Sequence, residues 1–434
     1  MVKLKDINLF ESLRFRNFKL YFYGQCISLI GTWMQQVAMG WLVYRLTGSI
    51  ALLGTIVFAA QIPTFFITPF ASAIIDKINK KHILIFTQSL SMFYGLVLTI
   101  LIFSDFLTSS SVWLIILLNL FLGIVNAIDS PTRQAFYTSL VPKECLTNAV
   151  ALNSAIINGS RLIGPSIGGV LISMVGEGGC FLINTISYIF VIIALIKISI
   201  ENEEISKAAI KIFSDMKEGF CYMKEKTPIK ILLIMTMCFS FLIFPVTSFF
   251  PAYAKDTLGG GSETLGIIMS FLGLGSLSGA LLLASRKTVV GLDKIQIFGL
   301  IVASLVLIPY FFITSTILSL FLSMLLGFCL VSAIASTNTM IQALTQPNMK
   351  GRIMGYYTIC FVGGSALGSL FLGWLSNYFL LSYIMLGCGV VSIVGILIYL
   401  PYKKHIVEQQ REIYTERGII PEIAVSLSKT EIDV

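Results

Sequence analysis

Charge is scarce in this chain: Asp, Glu, Lys and Arg make up 12% of its 434 residues, about half the share found in a soluble domain. With 56% hydrophobic residues and a mean hydropathy of +0.88, a water-soluble globule is excluded. Long polar intervals are lacking as well. Apolar stretches recur from Phe18 to Leu400, and no gap between them has room for a domain of roughly 100 residues. That excludes a soluble enzyme on a single membrane anchor. Histidine is limited to His82 and His405, no Ser/His/Asp or Cys/His constellation is in evidence, and there is no GxxxxGK[ST] loop for a nucleotide phosphate. No catalytic residue, no ATP and no enzymatic role is therefore expected. The eight cysteines show no CxxC or metal-ligand spacing, and most lie in apolar segments, where a thiol acts as a small hydrophobe. Neither a disulfide framework, a metal site nor a cofactor is implied. The mixed-charge start MVKLKDINLFESLRFRN leads into a helix too long for the apolar core of a signal peptide, so no cleavage is expected.

What is present in abundance is hydrophobic runs of membrane length. A helix needs roughly 20 mostly apolar residues to cross about 30 Å of hydrocarbon, and spans must be helical because backbone groups find no water there. Twelve such segments are expected, at 18–44, 50–75, 83–104, 112–134, 147–175, 178–199, 230–253, 264–285, 295–314, 317–345, 353–376 and 378–400. Twelve crossings put both termini on one side. The loops on the other side carry only Arg45 and Lys255, and Arg133 and Arg161 fall within spans, leaving 26 of the 30 basic residues on the terminus-bearing face. The positive-inside rule makes that face cytoplasmic. The net charge of +8 is then explained by topology and anionic lipid, so nucleic acid is not expected as a partner.

The chain also divides. Its longest internal polar interval, Glu201 to Thr227, spaces Ile205, Ala209, Ile212, Phe213, Met216, Phe220 and Met223 for one helical face. It reads as an amphipathic linker on the inner leaflet, with regulation or partner binding as the other reading. The expected organisation is a six-helix bundle over 1–200, the linker over 201–228, a second bundle over 229–402 and a cytoplasmic tail over 403–434. Internal matches support a duplication: one shift of 205 residues sets Pro142 on Pro347, Gly159 on Gly364 and Gly168 on Gly373.

Three strings carry a resemblance to a known family. They are YGQCISLIGTWMQQVAMGWLVYRLTGS (Tyr23 to Ser49), DSPTRQAFYTSLVP (Asp129 to Pro142) and ALNSAIINGSRLIGPSIGG (Ala151 to Gly169). Together they resemble the major facilitator superfamily, and within it the drug and siderophore exporter branch of enterobactin and macrolide efflux proteins. The resemblance implies an all-α fold of two pseudo-symmetric six-helix bundles and a secondary transporter. After span 2, Ser72, Asp76, Lys77, Asn79, Lys80 and Lys81 resemble the superfamily's cytoplasmic gate motif, with both its glycines replaced. Asn79 tolerates the left-handed turn that Gly would supply. Asp76 could meet the N-terminus of span 11, with Arg352 nearby, and close the inner mouth; the alternative is a solvated loop that only sets topology. Gly164, Pro165, Gly168 and Gly169 resemble the exporter helix-packing motif, where small residues let helices approach and Pro bends one.

Only three ionisable residues lie within spans away from their ends: Asp129, Arg133 and Arg161. Each costs at least about 2.5 kcal/mol to insert, so each should face a cavity or a partner. Asp129 and Arg133, four apart on one helix, can pair with each other; because exporters of this superfamily commonly exchange substrate for protons, Asp129, Arg133 and Arg161 are also the proton-coupling candidates. Arg161 lies roughly 20 Å along its helix, too deep to reach either surface easily, and either structural pairing or a cavity role is open to it. Trp33, Gln35, Gln36, Gln61, Asn126, Asn158, Asn338 and Gln342 are the uncharged candidates for the substrate cavity, though some must join helix to helix. The function expected is export of an amphipathic small molecule, drug-like or a siderophore, across the cytoplasmic membrane in exchange for protons. A facilitator or importer of the same fold, or a scaffold or receptor that does not transport, are the alternatives.

Overall fold

The computed structural model describes residues 11–75, 78–199, 212–286 and 288–419, and within them every regular element is helical. Eleven helical segments are long and apolar enough to cross a membrane. In the first half these are α1 (Arg16–Thr47), α2 (Ile50–Ile75), α3 (Lys80–Phe103), α4 (Val112–Thr138) and α5 (Leu146–Lys197). At 52 residues, α5 would be about 78 Å long if straight, more than twice the hydrocarbon thickness. It breaks at Gly176, whose φ of 73° and ψ of 174° suit a residue without Cβ. Beyond the break the chain folds back, bringing Cys180 Sγ within 4.0 Å of the Gly168 carbonyl. The two limbs are therefore separate crossings, and the total is twelve, with the break where the sequence placed the turn between spans 5 and 6.

The linker helix α6 (Ile212–Glu225) precedes the second half. Its first crossing is interrupted: α7 (Thr227–Leu242) passes into a 3-10 stretch, Phe244–Phe249, then the short turn α8 (Phe250–Ala252) and a π turn, Tyr253–Thr257. Pro245 and Pro251 lie in this irregular stretch, where each removes a backbone donor. Next come α9 (Ser262–Ala284), α10 (Leu292–Tyr310) and α11 (Thr316–Leu344). The eleventh crossing consists of α12 (Lys350–Thr358), a π turn at Ile359–Gly363 and α13 (Gly364–Leu375). The last helix, α14 (Leu381–Glu416), runs on past residue 400, the expected end of its span. It does so because Tyr414 is buried among the ends of neighbouring helices and Arg417 donates to the Ala343 carbonyl at 2.6 Å.

Within the first half α1 packs on both limbs of α5, α3 packs on α5, and α2 packs on α4; within the second, α11 packs on α9 and α10, and α10 on α14. The halves meet along two seams, α5 against α9 and α2 against α13. Both depend on close backbone approach. A Cβ on Gly169 would lie 2.7 Å from the Gly266 Cα, and one on Gly54 would collide with the Ser369 carbonyl.

These contacts correct the register of the repeat. Gly164 and Gly168 face Trp33 and Met34 of the first crossing, and Gly364 and Gly368 face Met237 and Phe241 of the seventh. Gly169 and Ser369 then occupy matching places on the two seams. The helices correspond at a shift of 200, GPSIGG on GSALGS, not at 205. Five residues turn a helix by about 140°, which is why Gly159 faces open space whereas Gly364 is packed. Asn79 differs from expectation too: its φ of −61° is not left-handed. Its side chain instead accepts from the His82 backbone N–H at 3.3 Å and caps α3.

Candidate functional site

The face of α1 that meets the second half is fixed at its far end. A Cβ on Gly40 would touch Pro251 at 3.1 Å, and the Tyr44 hydroxyl donates to the Asp256 carboxylate. Trp33, Gln36, Gly40 and Tyr44 fall within about 80° of one another around the helix, so Trp33 and Gln36 share that face. On α5 the seam is marked by Leu162 against Gly273, Ser166 within 2.5 Å of Ser270, and Gly169 against Gly266. Asn158 lies on the same stripe, nearer the terminus-bearing end. On α2, Gln61 lines up with Gly54 and Phe65, which abut Ser369 and Gly363. Five expected residues, Trp33, Gln36, Gln61, Asn158 and Arg161, thus gather where the two halves face each other.

Arg161 is the chemically distinctive member of this group. Its guanidinium carbon lies 5.0 Å from the centroid of the Trp33 ring, and its Nε is buried without a hydrogen-bond partner. No carboxylate pairs with it among the described residues. A desolvated cation–π contact is worth about 2 kcal/mol, close to the lenient cost of inserting an Arg. Stacking can therefore hold the cation in place while leaving its N–H donors unused. Asn158, one turn earlier, donates only to its own helix, at the Ser154 carbonyl (2.8 Å).

The other intramembrane charges are enclosed within the first half. Asp129 is 1% exposed and pairs with Arg133. It also accepts from Thr87 Oγ1 at 2.7 Å and Gln88 Nε2 at 2.8 Å, both on α3. Arg133 reaches α1 through Gln25 Oε1 at 3.3 Å. This network ties α1, α3 and α4 together and faces a partner, not the seam.

One expected cavity residue is placed away from the seam. Gln35 is buried and accepts from Asn184 Nδ2 at 2.6 Å, joining α1 to the second limb of α5 instead of lining the seam. Gln342 donates to Asn338 at 2.5 Å within α11. Asn126 is exposed on α4. For the gate, Asp76 and Lys77 lie outside the described residues, as do Ile205 and Ala209 of the linker. Lys81 Nζ binds the Ile198 carbonyl at 2.7 Å, Lys80 begins α3, and Arg352 pairs with Glu218 of the linker helix at 2.9 Å. Gly164 and Gly168 pack on α1, Gly169 packs on α9, and Pro165 is buried between them.

Sequence reasoning missed a cluster on the face away from the termini. Besides the Tyr44–Asp256 hydrogen bond, Lys255 Nζ sits 5.6 Å from the Tyr44 ring centroid, and Arg45 pairs with Glu177 at 2.6 Å. Arg45 and Lys255 were already singled out as the basic residues of that face. Their rarity was the signal that could have found the cluster.

With this geometry in place, the family comparison decides the identity. The transmembrane secretion effector family of the major facilitator superfamily matches residues 8–431. The chain belongs to that family. It is similar to the staphyloferrin A transporter of Staphylococcus aureus, 26% identical over 310 residues, which covers 70% of this chain and 77% of that protein. It also resembles macrolide efflux protein A of Streptococcus pyogenes, 24% identical over 276 residues, or 62% of this chain and 67% of that one. In structure it is similar to the nucleoside transporter NupG, with a TM-score of 0.68 and 14% identity over 92% of this chain and 100% of that one. This family member is accordingly a multi-pass membrane transporter of the major facilitator fold.

Proposed function

We propose that this transporter exports an amphipathic small molecule, drug-like or a siderophore, by alternating access in exchange for protons. The observation that carries the reading is Arg161, an intramembrane cation stacked on Trp33 between the two halves with no acid paired to it among the described residues. The substrate supplies the missing acceptor to its free N–H donors and an apolar surface beside the indole, with Gln36, Gln61 and Asn158 as further polar contacts. The described state is closed on the far face by the Tyr44–Asp256 contact and the Gly169–Gly266 approach. The excess of Lys and Arg on the terminus-bearing face assigns that face to the cytoplasm, so this is the state that receives substrate from inside the cell. The relatives named for efflux and for a siderophore favour export over uptake.

For coupling, Asp129 is the proton acceptor. It pairs with Arg133 and accepts from Thr87 and Gln88 in this state, and a shift of α3 or α1 against α4 changes those contacts, which ties the surroundings of the carboxylate to the conformation of the first half. No nucleotide and no enzymatic step enter the cycle. The test is accumulation in inside-out vesicles across a panel of toxic compounds and chelators, with and without a proton gradient. The expected result is gradient-dependent uptake of at least one compound that falls about tenfold in Arg161→Leu. Uptake that ignores the gradient would make the protein a facilitator. Uptake at the full rate in Asp129→Asn would reject the coupling role.

A further inference from the structure

On the terminus-bearing face of the second half, away from the seam, α14 leaves a cavity of about 440 Å³ against the start of α10 and the end of α11. Its lining from α14 includes Leu400, Lys403, Lys404, Val407, Arg411 and Tyr414, a spacing that keeps one helical face turned to the cavity. From the opposite wall come Lys294 and Met340. Four cations thus meet two acids, Asp293 and Glu408. Asp293 is already answered by Lys403 at 3.6 Å, and no salt-bridge partner is found for Lys294, Lys404 or Arg411 among the described residues.

A second observation points independently to a ligand. Tyr414 is 3% exposed and lines the cavity, yet its hydroxyl has no hydrogen-bond partner among the described residues. A phenol buried without a partner is costly unless something else accepts from it. The apolar wall of Leu400, Val407 and Met340 adjoins the membrane end of α14, and Tyr402 beside it is 66% exposed, as suits a ring at the headgroup level. A ligand matching all of this is anionic at one end, with oxygens for Tyr414 and the cations, and apolar at the other.

We propose that this groove binds the phosphate headgroup of an anionic phospholipid, with Lys294, Lys404, Arg411 and the Tyr414 hydroxyl on the phosphate and an acyl chain against Leu400 and Val407. Such a lipid clamps α14 to α10 and α11 and makes the stability of the second half depend on the composition of the surrounding leaflet. The site lies outside the seam, so lipid binding there does not depend on which substrate is transported.

The test uses the full-length protein in detergent, titrated with short-chain phosphatidylglycerol, with phosphatidylcholine of the same chain length, and with inorganic phosphate. Bound lipid is read by native mass spectrometry and stability by thermal unfolding. Phosphatidylglycerol is expected to bind about tenfold more tightly than phosphatidylcholine and to raise the unfolding temperature. Lys404→Gln/Arg411→Gln should lose that preference, and Lys294→Gln on the opposite wall should weaken it even if the α14 variant folds poorly. Lys19→Gln/Lys224→Gln, which removes two cations of the same face outside the groove, should keep it. Equal binding of the two lipids, or an equal loss in the control pair, would overturn the proposal. Stabilisation by inorganic phosphate that matches phosphatidylglycerol would overturn the lipid as the source of the phosphate.

Discussion

The first limb of α5 and the eleventh crossing occupy equivalent places in the two halves and share their small residues, but not their chemistry. Gly164 and Gly168 match Gly364 and Gly368, each pair packed on the first crossing of its own half, while Gly169 and Ser369 form the two seams. Three residues before Gly164 stands Arg161, stacked on Trp33. Three before Gly364 stands Phe361, whose ring centroid lies 4.9 Å from that of Phe244 and which belongs to a π turn. The frame that lets the halves approach is duplicated, and the charged groups are not. In the proposed cycle, motion belongs to what the halves share, and recognition and coupling to what sets the first half apart.

The difference can be broken at its strongest point first. Asp129→Ala leaves Arg133 buried without its partner and should destabilise the protein by about 3–5 kcal/mol, read as a lower unfolding temperature in detergent. Asp129→Ala/Arg133→Met should recover much of that loss, because an apolar pair costs less than a lone charge. Next is the frame. Gly169→Leu overpacks the α5–α9 seam, and an overpacking cost of about 1–3 kcal/mol falls on the far-face-closed state. Transport should drop about tenfold or more with normal membrane insertion, and Gly54→Leu at the other seam should do the same. A loss at only one seam would show that the halves do not share the mechanics.

Smaller effects sharpen the comparison. Arg161→Leu should reduce transport about tenfold at unchanged protein levels, whereas Phe361→Leu at the matching place should change it less than twofold; vesicle uptake measures both. The smallest change is at the latch. Tyr44→Phe removes one hydrogen bond to a partly exposed carboxylate, worth about 1 kcal/mol. The far-face-closed population should then fall about fivefold relative to the open one, visible as faster labelling of a cysteine placed at Gly40.

The twelve crossings were legible in the sequence because the hydrocarbon thickness fixes the length of an apolar run, and the break between spans 5 and 6 fell at Gly176. The register of the repeat was not, since the loop prolines Pro142 and Pro347 follow one shift and the packed glycines another, and only contacts tell them apart. Gln35 and Gln36 show the same limit on a smaller scale. Adjacent residues differ by about 100° around a helix, so one binds Asn184 inside the first half and the other faces the second. Helical period orients residues relative to each other but not to a seam formed elsewhere in the chain. The Tyr44–Asp256 contact joins positions 212 residues apart, beyond the reach of any local pattern.

The central claim is that the two halves rock about the seam that holds Arg161. Distances between spin labels test it most directly, in a variant whose exposed Cys221 and Cys238 are replaced by serine. One pair is set on the far face at Ser110 and Ser315, and one on the terminus-bearing face at Ser139 and Ser285. On adding a transported compound the far pair should lengthen as the other shortens, and Arg161→Leu should abolish the response. Two distances that stay fixed, or that change in the same direction, would contradict the account.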